Sequence, residues 1–133
     1  MRSRRGSMTA EVAILVPTLF LLVVLAVGRG RIIDAEITIR GAADVAARTA
    51  SLSAIDRMQI NGRRAGVSFV RDAGIPCRGL SVDVRREESR GFAYASATVE
   101  CSVDHRDLGG LIPKITRLNA TSREVVDYFR SER

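Results

Sequence analysis

The chain has no tryptophan, two tyrosines, four phenylalanines, two cysteines, three prolines and one histidine in 133 residues. With aromatics at 5% there is little to stack nucleic-acid bases. The formal charge of +6 does not substitute for them. Arg2, Arg4 and Arg5 supply three of those charges, and the other basic residues are interspersed with acids, so no nucleic-acid partner is expected. Lys114 is the one lysine among a large excess of arginine, a bias that reflects a GC-rich coding sequence rather than a chemistry. One His and two Cys offer no metal-ligand spacing, and there is no Cys-x-x-Cys redox motif. His105, beside Asp104 and near Asp107, reads as a solvated loop residue rather than a general base. Gly109-Gly110 reads as a turn, and Glu87-Glu88 among Arg85, Arg86 and Arg90 as a solvated hairpin tip. No catalytic, cofactor-binding or metal residue is assigned, and an enzyme is not expected.

What is present is a long apolar run. Val12 to Gly28 carries no charge and forms about 25 Å of helix at about 1.5 Å per residue, close to a membrane span. A single carboxylate, Glu11, stands at its mouth. A charge at the bilayer centre costs about 2.5–3.5 kcal/mol, and less near the interface. A helix N-terminus favours a carboxylate by a few tenths to about 1 kcal/mol, so Glu11 calls for a further partner. The basic stub places the N-terminus in the cytoplasm, against the weaker opposing pull of Arg29 and Arg31. The chain divides into a cytoplasmic basic leader (1–6), a transmembrane helix (7–30) and an exported α+β domain (31–133). In an exported domain, Cys77 and Cys101 read as a disulfide that closes a loop of 24 positions, worth about 3 kcal/mol in the chain-entropy model. Two free buried thiols are the alternative.

Beyond the span, Ile32 to about Ala50 continues as helix. Ile33, Ile37, Gly41 and Val45 recur every four residues, and Glu36–Arg40 and Asp44–Arg48 are acid-before-base pairs. The small residues Gly41, Ala42, Ala43, Ala46 and Ala47 permit close approach of another backbone, from the chain's own domain or from another subunit. Ser53 with Asp56 has the spacing of a capped helix start, and that second helix ends by Gly74, with Asn61-Gly62 and Gly66 weakening its middle. From Gly79 the period becomes two. Leu80, Val82 and Val84 alternate with polar residues, and Ala93 to Val103 form a second alternating run, with Arg86–Gly91 as the loop between. The midpoint of the two cysteines falls in that loop, which places them nearly opposite each other on an antiparallel hairpin. Cys77 is one residue out of phase with its strand, and a bulge at Gly79 would restore the match. His105–Pro113 reads as a loop, and Ile115–Tyr128 as a third strand. The fold class is α+β: a long N-terminal membrane-spanning helix continuing into the exported region, a second helix and a small antiparallel sheet.

The segment R-R-G-S-M-T-A-E followed by V-A-I-L-V-P-T-L-F-L-L resembles the class III signal of type IV pilin-like proteins. The resemblance implies cleavage by a prepilin peptidase between Gly6 and Ser7, with Glu11 as fifth residue of the mature chain. It further implies that Glu11 pairs with the Ser7 amine of a neighbouring subunit, and that Pro17 kinks the helix. Within that group the chain is similar to the TadE-like proteins of the tight-adherence (Flp) pilus system. Cys77-Arg78-Gly79-Leu80-Ser81-Val82-Asp83-Val84, Val99-Glu100-Cys101-Ser102-Val103-Asp104 and Asp127-Tyr128 extend that likeness over nearly the whole chain. Val12 after Glu11 and the greater length depart from the major Flp pilin. The resemblance therefore implies a minor pilin or pseudopilin with a pilin-like fold, a single-pass protein of the cytoplasmic membrane with its C-terminal domain outside. Its implied partners are the lipid bilayer, prepilin peptidase, other pilin-like subunits and Tad secretion and assembly proteins. Two rivals stand beside it. One is a secreted protein cut after Ala26-Val27-Gly28. The other is a signal-anchored envelope protein with a disulfide-stapled binding domain, unrelated to pili.

Overall fold

The computed structural model describes residues 5–104 and 115–126, with side chains from Glu11 onward. Two helices, α1 (Arg5–Ser51) and α2 (Met58–Asp72), precede three strands, β1 (Cys77–Ser89), β2 (Phe92–Asp104) and β3 (Ile115–Val125). The expected α+β arrangement is present: a long apolar N-terminal helix, a second helix and a small antiparallel sheet. The chain divides into two compact units, Met1–Ile33 and Asp34–Arg133, so α1 contributes to both. The expected loop at His105–Pro113, Lys114 and the Asp127-Tyr128 end of the third strand lie outside the described residues.

From Val12 to Val27, in the first unit, α1 is apolar on every side. Ile14 is 70% exposed and Phe20 71%, and Val12, Leu15, Val16, Leu19, Leu21, Leu22, Val23, Leu25 and Val27 are exposed as well. A helix of this kind suits a membrane span, whereas a helix on a water-soluble core shows one apolar stripe. Pro17 lies inside α1 and has no N–H to give the Ala13 carbonyl. Beside it, the Thr18 hydroxyl donates to the Ile14 carbonyl at 2.8 Å.

The second unit is built from small side chains. The strand order is β1-β2-β3, antiparallel throughout. The odd-numbered residues of β2, Ala93 to Val103, are buried with Val82 and Val84 of β1, and Leu118 and Ala120 of β3 pack against them. The same core takes in Ala35, Ile39, Ala42, Ala43, Ala46, Ala47 and Ala50 of α1 and Met58 and Val70 of α2. The small-residue stripe of α1 therefore packs against the chain's own domain. Ile33 and Ile37 remain exposed, because the buried face is the one marked by Ala35, Ile39, Ala42 and Ala46, a quarter-turn and more away.

Gly62 and Gly66, which weaken α2 as an isolated helix, are what let it approach. A Cβ on Gly62 would stand 2.9 Å from the Ala46 carbonyl oxygen and from Ala50 Cβ, and 3.2 Å from Val84 Cγ2. One on Gly66 would stand 3.1 Å from Ala46 Cβ and Val82 Cγ1. These contacts, with Phe69 on Gly41, run α2 antiparallel to α1.

Three local features differ from the sequence reading. Ser53 does not cap α2: its hydroxyl donates to the Thr49 carbonyl at 2.7 Å and accepts from Asn61 Nδ2 at 3.1 Å, and the helix starts at Met58. Of the two acid–base pairs, Glu36–Arg40 closes at 2.6 Å, while Asp44–Arg48 forms no ion pair. The hairpin loop is only Arg90-Gly91, and Arg86–Ser89 belong to β1. Arg90 (φ 52°) and Gly91 (φ 80°) both take positive φ, the type I′ geometry that matches the twist of paired strands.

Candidate functional site

The residues singled out by the sequence fall into two groups. Gly6, Ser7, Glu11 and Pro17 all lie on α1 in the first unit, and Cys77 and Cys101 lie on the first hairpin of the second. Each group has its own chemistry.

Glu11 is exposed, and among the described residues no hydrogen bond or ion pair reaches its carboxylate. It stands one residue before Val12, the first of the exposed apolar side chains. In water this arrangement leaves a wholly apolar helix surface unpartnered. In a bilayer the apolar surface is satisfied and the carboxylate becomes the group that lacks a partner. The helix is long and apolar enough to cross a membrane, and only 6% of its most apolar window is buried within the fold.

Cys77 and Cys101 are brought to disulfide distance, with Cα atoms 5.6 Å apart. The register explains how. Cys77 pairs with Val103 and Arg78 with Ser102, then the pairing shifts by one residue before Ser81 meets Glu100. The shift is the bulge expected at Gly79, whose φ of 65° is open to glycine at little penalty. The bulge puts Cys77 on the same face as Cys101, so the bond clamps the end of the hairpin far from the Arg90-Gly91 turn. At that end Arg78 Nη2 also lies 3.5 Å from Asp104 Oδ2.

The outer face of the sheet is polar. A half-open groove of about 570 Å³ there is lined by Arg63, Asp83, Arg85, Glu87, Thr98 and Glu100, among others. Asp83 pairs with Arg85 at 2.6 Å and Glu87 with Arg123 at 3.3 Å, and the Thr98 and Thr121 hydroxyls meet at 3.0 Å. A charge pair along β1, another from β1 to β3 and a hydroxyl contact between paired residues of β2 and β3 help to stabilise a solvated sheet face. Among the described residues no group of three or more His, Cys, Asp or Glu side chains could hold a metal ion.

The comparisons with known proteins bear on the first group. The TadE-like protein family model matches residues 6–48. This segment is similar to the TadE-like proteins. It begins at Gly6, takes in Ser7, Glu11 and Pro17, and extends through most of the alanine face of α1. It stops short of both cysteine strands and of Asp127-Tyr128, so the match bears on the N-terminal third of the chain. No curated protein and no solved structure matches the chain.

Sequence reasoning missed the role of Gly62 and Gly66. The signal was available in their i,i+4 spacing opposite an alanine-rich helix. It also missed the face of α2 turned away from the core.

Proposed function

We propose that this chain is a minor pilin or pseudopilin that takes part in assembly of a Flp-type (tight-adherence) type IV pilus, working by association rather than catalysis. The observation that carries the reading is Glu11. It is a carboxylate without a partner among the described residues, at the head of a helix whose apolar side chains are exposed, within the TadE-like segment. On this reading a prepilin peptidase cuts between Gly6 and Ser7, and the new Ser7 amine of one subunit meets Glu11 of the next. An isolated chain then carries an uncompensated charge at the membrane boundary that a correctly registered neighbour removes. Charge pairing would select the register, and the apolar surface around it would supply the area. The exported domain would present its sheet to other pilin-like subunits and to Tad assembly proteins.

The mature N-terminus tests this directly. Mass spectrometry of the protein from cells with active prepilin peptidase should find Ser7 as first residue. A start at Met1 removes the pilin reading, and a start at Arg29 establishes a secreted protein instead. Glu11→Gln should leave insertion and disulfide formation intact while the chain fails to join the assembly.

A further inference from the structure

We propose that the outward face of α2 docks on the anionic lipid headgroups of the bilayer that holds the chain's own apolar segment. Met58, Gly62, Gly66 and Val70 turn inward. The outward side carries Ile60, Arg63, Arg64 and Arg71, which line one shallow groove with Ser68 and with Val67, itself half-buried against the core. No acid lines this groove, although Arg63 also borders the sheet groove that holds Asp83, Glu87 and Glu100, which leaves Arg64 and Arg71 as the arginines facing it alone. The one acid of the helix, Asp72, accepts a hydrogen bond from Ser68 Oγ at 3.2 Å.

The arginines of this face differ from most of those of the sheet, Arg117 of β3 being the exception. Arg78, Arg85, Arg86 and Arg123 each lie 2.6–3.5 Å from a carboxylate. Arg63, Arg64 and Arg71 form no ion pair among the described residues. The unneutralised positive charge of α2 is thus gathered on one side of one helix, which selects an anionic occupant.

Two observations favour lipid over an acidic protein. Ile60, which is 56% exposed, stands among the arginines at helical spacing, with Val67 half-buried at the edge of the core beside them, so that an aliphatic side chain can enter an interface while guanidinium groups meet headgroups. A chain with a membrane-length segment also holds its folded domain near lipid at high effective concentration. Within the second unit, α2 runs back along α1, from Gly62 beside Ala46 and Ala50 to Phe69 beside Gly41.

The proposal rests on membrane insertion of residues 12–28. The test is chosen so that the two can fail separately. Because the chain has no tryptophan, Ile60→Trp in the full-length protein gives a single indole reporter. The protein is placed in nanodiscs of neutral phosphatidylcholine, or of phosphatidylcholine with phosphatidylglycerol, each with brominated acyl chains. The expected result is a blue shift and quenching in the anionic discs alone, reversed by salt. Both should be lost with Arg64→Glu/Arg71→Glu and kept with Arg64→Lys/Arg71→Lys, far-UV circular dichroism being the same throughout. Incorporated protein with an unquenched indole overturns the proposal and leaves the membrane span standing. Equal quenching in neutral discs overturns it, as does quenching that survives the glutamate pair. A shift that appears only when an acidic protein is added overturns it in favour of that partner. A chain that does not enter the discs at all overturns the span and the proposal together.

Discussion

The two stretches of α1 use side-chain size in opposite ways. From Val12 to Val27 the helix carries Leu, Ile, Val and Phe, and nearly every one is exposed. From Ala35 to Ala50 the inward face is alanine but for Ile39, and it is buried to the last few per cent; Ala46 is 0% exposed. Bulky aliphatic side chains maximise apolar area, which suits a helix whose neighbours are acyl chains. Methyl groups minimise the distance between backbones, which suits a helix wedged beside α2 and a sheet whose central strand repeats Ala93, Ala95 and Ala97. The comparison separates a surface selected by its solvent from one selected by its neighbours, and each half should fail in its own way.

The largest effect is expected in the first stretch. Leu19→Arg exchanges a residue that favours the bilayer core for one that costs about 2.5–3.5 kcal/mol at its centre. Membrane fractionation should show loss of insertion, while the second unit keeps its denaturant midpoint. A variant that still inserts fully would mean that residues 12–28 do not form the span. Next is the clamp of the second unit. Replacing Cys77 and Cys101 together by Ser should lower its unfolding free energy by about 3 kcal/mol, read from urea unfolding with and without reductant. The wild type should show no thiol reactive to a maleimide before reduction. Reactivity at both cysteines would mean that the pair is not bonded in the native protein.

How much of this was legible depended on whether the signal was local. The change of period at Gly79, the two alternating strands and the bulge that rephases Cys77 could all be read from spacing, because a strand's faces follow from its own residues. The apolar run was legible for the same reason, and so was Glu11 at its head. What could not be read was set by tertiary partners. Ser53 has the spacing of a cap, yet its hydroxyl is taken by Thr49 and Asn61 from the two helices it joins. Arg86–Ser89 look like loop because they are polar, but Glu88 lies opposite Ala93 in the ladder and only the positive φ of Arg90 and Gly91 makes the turn. Ile33 and Ile37 formed the more visible stripe on α1, and the core chose the alanines. Of the candidate site, the residues were legible. The partner proposed for Glu11 came from the resemblance alone, since a charge that another molecule would compensate leaves no contact within one chain.

The smallest effect sharpens the comparison most, because it asks the same substitution of both units. Gly→Ala in a helix gains up to about 1 kcal/mol from propensity and from a less free unfolded chain. At Gly30 an added Cβ meets nothing within 4 Å, so Gly30→Ala should leave helix formation neutral or improved. At Gly62 the same methyl would stand 2.9 Å from the Ala46 carbonyl oxygen and from Ala50 Cβ. Backbone cannot swing aside as a side chain can, so the helices must part, and overpacking of this kind costs about 1–3 kcal/mol. Set against the propensity gain, Gly62→Ala should destabilise the second unit by about 1–2 kcal/mol in urea unfolding. The loss should carry over to the alanine faces on either side, because α2 touches α1 and β1 through the same small residue. If Gly62→Ala proved neutral, the close approach would not be what holds α2 in place. The alanine face of α1 would then be permissive rather than required, and the contrast with the bulky face of residues 12–27 would lose its energetic basis.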